Sequence, residues 1–261
     1  MNTFFKFASL ASLTIAGLAV AEPRELTFVA DPWCPYNCEP GDANAEGFLI
    51  ELAKAALEPL GYKITYKQVS WDDAIPAVRK GTYDVLVASD PEESPGFVFS
   101  NHYAPCGYAL FSRKGEAFTY HGPNSLGDRK LGGVEGYYYG QAEADYINSN
   151  LDYDGKVQLT SGTAPLEDNV GKMLNGRIDV MLENPAVLNY YLHSVGKDGT
   201  LVKTADTLKT PCHLAFSPAK TDSASIAKAM DDRLPELESS GFLPALRKKY
   251  GLDYISTSPK P

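Results

Sequence analysis

The chain has 261 residues, with 24 Lys and Arg against 33 Asp and Glu and a formal net charge of -9 at pH 7. An acidic chain without clustered charge argues against nucleic acid and anionic membranes as partners. The length allows a large core, arranged as one large domain or two small ones.

Residues 1–21 have the pattern of a secretory signal peptide. Lys6 precedes an apolar run over residues 7–20, and the segment ends Ala19-Val20-Ala21 before Glu22. The run is shorter than the about 20 residues that span a bilayer, so cleavage after Ala21 is favoured over a membrane anchor. No Cys stands at the junction to carry a lipid. We therefore expect a periplasmic protein that begins at Glu22 after cleavage.

The four cysteines of an exported chain indicate disulfide bonds. They allow three pairings, of which we favour Cys34–Cys38 together with Cys106–Cys212. A zinc site is the alternative, but the spacing is not Cys-x-x-Cys and the histidines are scattered: His102, His121, His193 and His213. We expect neither a metal nor a cofactor.

Strand and helix patterns alternate through the first half of the mature chain. Residues 26–30 predict a buried strand, apolar spacing over 49–60 predicts a helix that Gly61 ends, and residues 64–69 alternate as a strand. A second helix is predicted over 72–79 and another buried strand over 85–88.

The same alternation starts again after Ser125. Strands are predicted over 131–134, 157–159 and 178–182, and helices over 140–147, 166–174 and 185–192. A strand at 214–216 and a helical region over 226–250 complete the chain. Two strand–helix units with short connections predict an α/β fold with parallel-type sheets covered by helices.

Short motifs follow one another in a fixed order along nearly the whole mature chain. They are Trp33-Cys34-Pro35-Tyr36, Gly47-Phe48-Leu49-Ile50-Glu51-Leu52, Trp71-Asp72-Asp73-Ala74-Ile75-Pro76, Gly81-Thr82-Tyr83-Asp84-Val85, Phe99-Ser100-Asn101-His102-Tyr103, Ser125-Leu126, Gly136-Tyr137, Asn175-Gly176-Arg177-Ile178-Asp179-Val180, Ala215-Phe216-Ser217-Pro218 and Ser240-Gly241. Each motif alone is weak, but their joint order is specific. In this order the chain resembles the type II periplasmic solute-binding proteins of family 3, a branch with many polar amino-acid receptors.

The resemblance implies a two-lobed type II periplasmic-binding-protein fold with a two-strand hinge and a cleft between the lobes. Lobe 1 would hold residues 22–106 and 211–261, and lobe 2 would hold residues 107–210. Cys106 and Cys212 would lie on the two hinge strands, where their bridge would tie the strands side by side.

Ligands of this family lie in the cleft, where strand ends and helix N-termini point inward. The resemblance, with the aromatic residues nearby, gives these candidate ligand-binding residues: Trp33, Tyr36, Phe48, Trp71, Ala88, Ser89, Ser94, Tyr137, Tyr138, Tyr139, Glu183 and Asn184.

Two positions depart from the amino-acid receptors that the chain resembles. Those receptors carry an Arg for the carboxylate of the ligand and an Asp for its ammonium group. Here Ser94 stands at the Arg position and, counted without a gap, Asn184 at the Asp position. A one-residue gap would bring Glu183 to the Asp position instead. The missing Arg argues against a simple α-amino acid, because the carboxylate would be desolvated without a partner.

Aromatic residues take the place of the charged pair. Faces and phenolic hydroxyls of Trp33, Tyr36, Trp71 and Tyr137-Tyr138-Tyr139 suit sugars, ring compounds or cations. A core position for Trp71 is an equal alternative, and one of the three tyrosines is expected to pack inward.

We therefore expect capture of a small polar or aromatic-compatible solute by hinge closure, by a monomer that serves an ABC permease. A sensory or accessory protein with a membrane signalling partner is the first alternative. The second is a cleft lyase or dehydratase, for which Glu135, Glu183 and His102 could supply an acid or base. The chain has no Gly-x-Ser-x-Gly, His-Glu-x-x-His or phosphate-loop motif, so a binding protein is favoured over an enzyme.

Overall fold

Two mixed β-sheets with flanking helices organise residues 22–42, 45–116, 118–151 and 155–252, which the computed structural model describes. The expected signal peptide lies outside these residues. The strands are β1 (Arg24–Ala30), β2 (Tyr62–Gln68), β3 (Val85–Ser89), β4 (Val98–Phe99), β5 (Ala104–Pro105), β6 (Tyr108–Arg113), β7 (Leu131–Val134), β8 (Val157–Thr160), β9 (Val180–Glu183), β10 (Leu201–Leu208) and β11 (Pro211–Phe216).

The helices carry the apolar faces that cover the sheets. They are α1 (Phe48–Leu57), α2 (Trp71–Arg79), α3 (Gln141–Asn150), α4 (Pro165–Leu174), α5 (Pro185–Ser194), α6 (Ser223–Ser239) and α7 (Phe242–Lys249). Leu49, Leu52 and Leu57 on α1 are fully buried, as the apolar spacing predicts. The C-terminal helical region divides into α6 and α7 at Gly241, which takes a left-handed φ of 82°. None of the helices in the described ranges is long and apolar enough to cross a membrane.

The first sheet has the strand order β2-β1-β3-β11-β4, with β5 also paired to β11. Strand β1 runs parallel to β2 and β3, while β11 returns antiparallel to β3. The second sheet has the order β10-β6-β9-β7-β8. Its strand β7 runs parallel to β8 and β9, and β6 is antiparallel to both β9 and β10. The expected parallel cores are present, and antiparallel strands extend each sheet.

The sequence patterns did not reveal β4, β5, β6 and β10. Strands β4 and β5 have only two residues each, too few for a periodic signal. Strand β6 is buried on both faces and so does not alternate. Strand β10 lies at a sheet edge with most of its residues exposed or partly exposed, so it lacks an apolar face.

Two adjacent crossings connect the sheets. The chain leaves the first sheet after Pro105, enters the second at Tyr108, and returns between Leu208 and Pro211. We use lobe 1 for described residues 22–106 and 211–252, and lobe 2 for 107–210. At the crossings β5 pairs antiparallel with β11.

Both favoured disulfides are present. Cys106 and Cys212 are bonded across the paired crossings, with their Cα atoms 5.1 Å apart. Cys34 and Cys38 are bonded within the segment after β1, with a Cα–Cα distance of 4.6 Å. The zinc alternative for these cysteines is therefore wrong.

We expect the two disulfides to contribute unequally to stability. The Cys106–Cys212 bridge joins residues separated by 106 positions, so replacing both with Ser should lower the free energy of unfolding by about 4–5 kcal/mol. The Cys34–Cys38 bridge joins residues separated by 4 positions, and its double Ser variant should lose about 2 kcal/mol. Urea unfolding of the two variants measures both losses. Equal losses would contradict the loop-length explanation.

Candidate ligand-binding site

The segment after β1 is held tightly by its own backbone and by a disulfide. The Trp33 N–H donates to the Asn37 carbonyl at 3.0 Å, and the Asn37 side-chain Nδ2 donates to the Asp31 carbonyl at 2.6 Å. The Cys34–Cys38 disulfide closes the same loop. These contacts fix Asp31 and Trp33 beside each other at the end of β1.

The segment after β3 turns sharply through Ala88, whose φ of 62° is rare for a residue with a side chain. The Asp90 carboxylate then accepts from the backbone N–H groups of Glu92 at 2.8 Å and Glu93 at 3.0 Å. Its other oxygen accepts from the Thr210 hydroxyl at 3.0 Å, at the return crossing. Asp90 therefore positions Glu93 and connects this turn to the hinge.

Lobe 2 contributes the segments that follow β7 and β9. Glu183 ends β9, and its Oε1 accepts from the Asn184 N–H at 2.7 Å. The Asn184 side chain caps α5 by accepting from the N–H groups of Ala186 and Val187. After β7, Gly136 has a φ of 81°, and a Cβ at this position would collide with the Asp72 carboxylate of lobe 1. The backbone of lobe 2 thus lies directly against lobe 1.

Three hydrogen bonds join the lobes at this place. The Trp33 Nε1–H donates to Glu183 Oε1 at 3.1 Å. The Tyr137 hydroxyl donates to Asp31 Oδ2 at 2.5 Å. The Tyr138 N–H donates to Glu93 Oε1 at 3.4 Å, a longer contact. Each bond pairs a carboxylate of one lobe with an N–H or O–H group of the other.

A small interlobe cavity lies among these contacts. Its volume is about 10 Å³, and its lining residues are Ala30, Asp31, Trp33, Asn37, Trp71, Val87, Ala88, Tyr108 and Tyr137. The ring of Tyr137 lies 5.9 Å from that of Trp71 and 6.0 Å from that of Tyr108, measured between centroids. The volume is close to that of a single water, so a larger solute requires the lobes to separate.

Burial changes the acidity of the carboxyl groups around the cavity. It raises the pKa of Asp31 to about 7, although the hydrogen bond from Tyr137 opposes the rise. Burial also raises the pKa of Glu183 to about 7, against the hydrogen bonds from the Asn184 N–H and Trp33. For Glu93, burial raises the pKa well above its ordinary value and the nearby charge of Asp90 raises it further.

A larger cavity of about 1110 Å³ lies beside the hinge. It is bordered by both crossings and by α5, and its lining residues His193, Asp198, Lys203, Asp206 and Lys209 are exposed. The smaller interlobe cavity is the better candidate site. Of the two cavities, it alone combines a buried carboxylate with aromatic rings from both lobes.

Comparison with known proteins identifies the family. A model of the bacterial extracellular solute-binding proteins, family 3, matches residues 26–253. This chain belongs to that family. It is 24% identical over 241 residues to a probable histidine-binding protein of Neisseria gonorrhoeae, covering 90% of this chain and 86% of the relative. It is 25% identical over 221 residues to the arginine-binding extracellular protein ArtP of Bacillus subtilis, covering 83% and 81% of the two chains.

Solved structures agree with the fold of this solute-binding protein. An ABC uptake transporter substrate-binding protein of Streptococcus pneumoniae, solved with bound histidine, superposes with a TM-score of 0.72 at 21% identity. The match covers 90% of this chain and 95% of the other. The predicted family and α/β fold are confirmed, and solute binding is the function that the family supports.

Four of the candidate residues from the sequence line the interlobe cavity: Trp33, Trp71, Ala88 and Tyr137. Glu183 and Tyr138 take part in the cross-lobe hydrogen bonds. Trp71 is only 5% exposed, so it belongs to the buried core and to the cavity wall at once. Their contacts with a ligand stay a prediction.

The other candidates make structural contacts and do not line the interlobe cavity, although Tyr36 and Asn184 border the larger cavity beside the hinge. The Tyr36 hydroxyl donates to the Pro105 carbonyl at 2.7 Å, and Phe48 is fully buried. Tyr139 is buried and accepts from the Val134 N–H at 2.7 Å, so it is the inward-packed tyrosine. The Ser89 hydroxyl donates to the Ser94 hydroxyl at 2.8 Å, and Asn184 Nδ2 donates to the Gly107 carbonyl at 2.9 Å.

Sequence reasoning missed four residues that bring polar groups to the site: Asp31, Asn37, Glu93 and Tyr108. Asp31 directly follows a buried strand, a place where polar side chains of α/β proteins meet ligands, and this signal was available. Asn37 and Glu93 lie in turn-rich segments where such residues are common, so their type alone says little. Tyr108 follows the first crossing, whose strand the sequence did not reveal.

The raised pKa values of Asp31 and Glu183 predict a pH-dependent stability. The folded chain holds these protons more tightly than the unfolded chain, so protonation stabilises the fold below about pH 4, and this contribution is lost as the pH rises through about 7. The charges that face these groups are also carboxylates. Asp72 raises the pKa of Asp31, and Asp31 raises the pKa of Glu183. The melting temperature should therefore be higher at pH 5.5 than at pH 8.

Thermal unfolding of Glu183→Gln at the two pH values tests this cause. The amide keeps an acceptor for Trp33 and removes the charge, so the variant should lose part of the pH dependence. Glu58→Gln, at an exposed position, is the control and should behave like the parent protein. Identical pH dependence in all three proteins would rule out Glu183 as a source.

Proposed function

We propose that this protein captures a small solute between lobes 1 and 2 and presents the closed form to an ABC permease. The observation that carries the proposal is the ring of cross-lobe hydrogen bonds around one cavity, in which Trp33 meets Glu183 and Tyr137 meets Asp31. A solute that contacts both lobes favours the closed arrangement over the open one.

The two crossings supply the hinge for this motion. At the crossings the described residues form one short sheet pair, β5 with β11, which the Cys106–Cys212 disulfide reinforces. A short paired segment can bend while it keeps the lobes in register. We propose residues 22–106 with 211–261 and residues 107–210 as the two moving bodies, acting as a monomer in the periplasm.

The ligand differs from that of the amino-acid receptors in this proposal. Ser94 is fully buried and bonded to Ser89, so it offers no cation to a carboxylate. Arg79 on α2 is engaged elsewhere, with its guanidinium 4.6 Å from the Phe97 ring and bonded to the Pro95 carbonyl. The relatives named as histidine- and arginine-binding proteins therefore support solute capture in general. They do not carry an α-amino acid over to this chain as its ligand.

One observation favours a second function, a lyase or dehydratase. Burial raises the pKa values of Asp31 and Glu183 to about 7, a range suited to proton transfer at neutral pH. Binding remains the better proposal because both carboxylates are already bonded across the lobes. Recovery of any bound compound unchanged after prolonged incubation distinguishes binding from turnover.

A thermal-shift screen tests the proposal. Sugars, polyols, amino acids, amines, organic acids and short peptides are added to protein that has been unfolded in guanidinium and refolded to remove any bound compound. A ligand at 100 times its Kd adds about 2.7 kcal/mol, which should raise the melting temperature by roughly 5–10 °C. A smaller radius of gyration in X-ray scattering should accompany the same ligand. A shift without compaction would contradict lobe closure.

Replacement of Trp33 tests where the ligand binds. Trp33→Ala removes a wall of the cavity and the bond to Glu183, and should abolish binding of the ligand found in the screen. Trp33→Phe keeps an aromatic ring in the cavity wall and should bind the ligand more tightly than Trp33→Ala does. Isothermal titration calorimetry measures both, and circular dichroism verifies folding.

Tyr190→Ala is the matched control, because Tyr190 is exposed and lines the larger cavity beside the hinge. It should leave the affinity unchanged. Loss of binding in Tyr190→Ala with retention in Trp33→Ala would move the site to the larger cavity.

A further inference from the structure

Three carboxylates from separate segments lie in the wall of the interlobe cavity or next to residues of that wall. Asp31 lines it directly. Glu183 is bonded to the lining residue Trp33, and Glu93 accepts from the Tyr138 N–H beside the lining residue Tyr137. Asp31 and Glu183 are only 2% and 1% exposed, so water screens them poorly.

These carboxylates have no positive partner in the described part of the chain. None of the nine residues that line the cavity is a Lys, Arg or His. The charges that act on the three groups are those of Asp31, Asp72 and Asp90, and each is negative. A buried negative charge is costly unless a cation or several donors compensate it, so this group of side chains is complementary to a positive ligand.

The Asn37 side chain indicates independently that the ligand carries a hydrogen-bond donor. It is fully buried, it lines the cavity, and its Oδ1 has no hydrogen-bond partner among the described residues. The amide orientation is fixed, because Nδ2 donates to the Asp31 carbonyl at 2.6 Å and a carbonyl only accepts. An unpaired buried acceptor is rare in a folded protein, so Asn37 Oδ1 offers a bond to any donor that enters the cavity, whether water or an N–H group of a ligand.

The cavity walls add aromatic faces. Trp33, Trp71, Tyr108 and Tyr137 all line the cavity, and neighbouring ring centroids lie between 5.9 and 6.1 Å apart. Aromatic faces attract organic cations and also bury their carbon chains. A hydrated inorganic cation has no carbon chain to pack against these faces.

We propose that the solute is an organic amine or guanidine, positively charged, rich in N–H donors and without a carboxylate of its own. The inference rests on the proposed function and names the ligand class for the same site. When the lobes open, Tyr137 releases Asp31 and Trp33 releases Glu183, which frees both carboxylates for the ligand. The ligand's N–H groups bond to Asp31, Glu183 and Asn37 Oδ1, and its carbon chain packs on the aromatic rings.

Calorimetry with matched pairs of compounds tests the ligand class. Agmatine and arginine differ by the carboxylate, and putrescine and 1,4-butanediol differ by the positive charges. At least one cation should bind with a Kd more than about tenfold below that of its matched partner. Choline, which has a cationic head without N–H donors, should bind more weakly than that cation.

Charge-neutralising variants connect the affinity to the named residues. Asp31→Asn and Glu183→Gln keep the size of each side chain and should each weaken the bound amine or guanidine by about tenfold or more. Glu92→Gln is the matched control, since Glu92 is exposed and precedes Glu93 directly. It should bind like the parent protein, and thermal unfolding verifies that all three variants fold.

The outcomes separate the ligand class from the function. Tightest binding by a sugar, a polyol, an organic acid or an α-amino acid, with compaction of the protein, overturns the cationic ligand and keeps solute capture. Binding of Ca²⁺ or Mg²⁺ alone, without any amine or guanidine, also overturns it. Failure of every cation and every other compound to bind overturns both proposals.

Discussion

The hydrogen bond from the Trp33 indole to the Glu183 carboxylate is one of three that join the two lobes beside the cavity. Both groups are almost fully buried, so breaking the bond without replacing it would leave an unpaired carboxylate out of water. The closed arrangement is therefore stable only while each buried carboxylate has a donor. A ligand whose own groups donate to these carboxylates can replace the cross-lobe hydrogen bonds.

The local structures on each side serve to place these two groups. The backbone bonds and the Cys34–Cys38 disulfide hold the loop that carries Trp33. In lobe 2, Asn184 caps α5 and so fixes the N–H that Glu183 accepts. Neither the disulfide-closed loop nor the Asn184 cap places a charge at the cavity, yet together they fix the positions of Trp33 and Glu183.

Much of the fold could be predicted from the sequence because its signals are local. The apolar face of α1 and the buried strands β1 and β3 follow from spacing alone. The crossings could not be located by periodicity, since β5 is too short and β6 is buried on both faces. Their positions came from the resemblance to a family.

The site was harder to predict because it depends on contacts across long distances in sequence. The sequence indicated that Ser94 replaces an Arg, but not that Asp31 lines one cavity with Glu93 and Glu183 close by. Trp33 and Glu183 lie 150 positions apart, and neither residue type by itself specifies a partner. The choice between Glu183 and Asn184 needed coordinates, because adjacent residues at the end of a strand point in different directions.

Gly136 has a consequence for how the family can diversify. A Cβ at this position would lie 2.1 Å from Asp72 Oδ1 of the opposite lobe, so even a methyl group would displace the carboxylate. A larger residue at 136 would also have to adopt the strained φ of 81°, so a smaller residue at 72 would remove only the collision. Glycine should therefore be retained at 136 among descendants of this chain, because both its backbone and the opposite lobe exclude a side chain there.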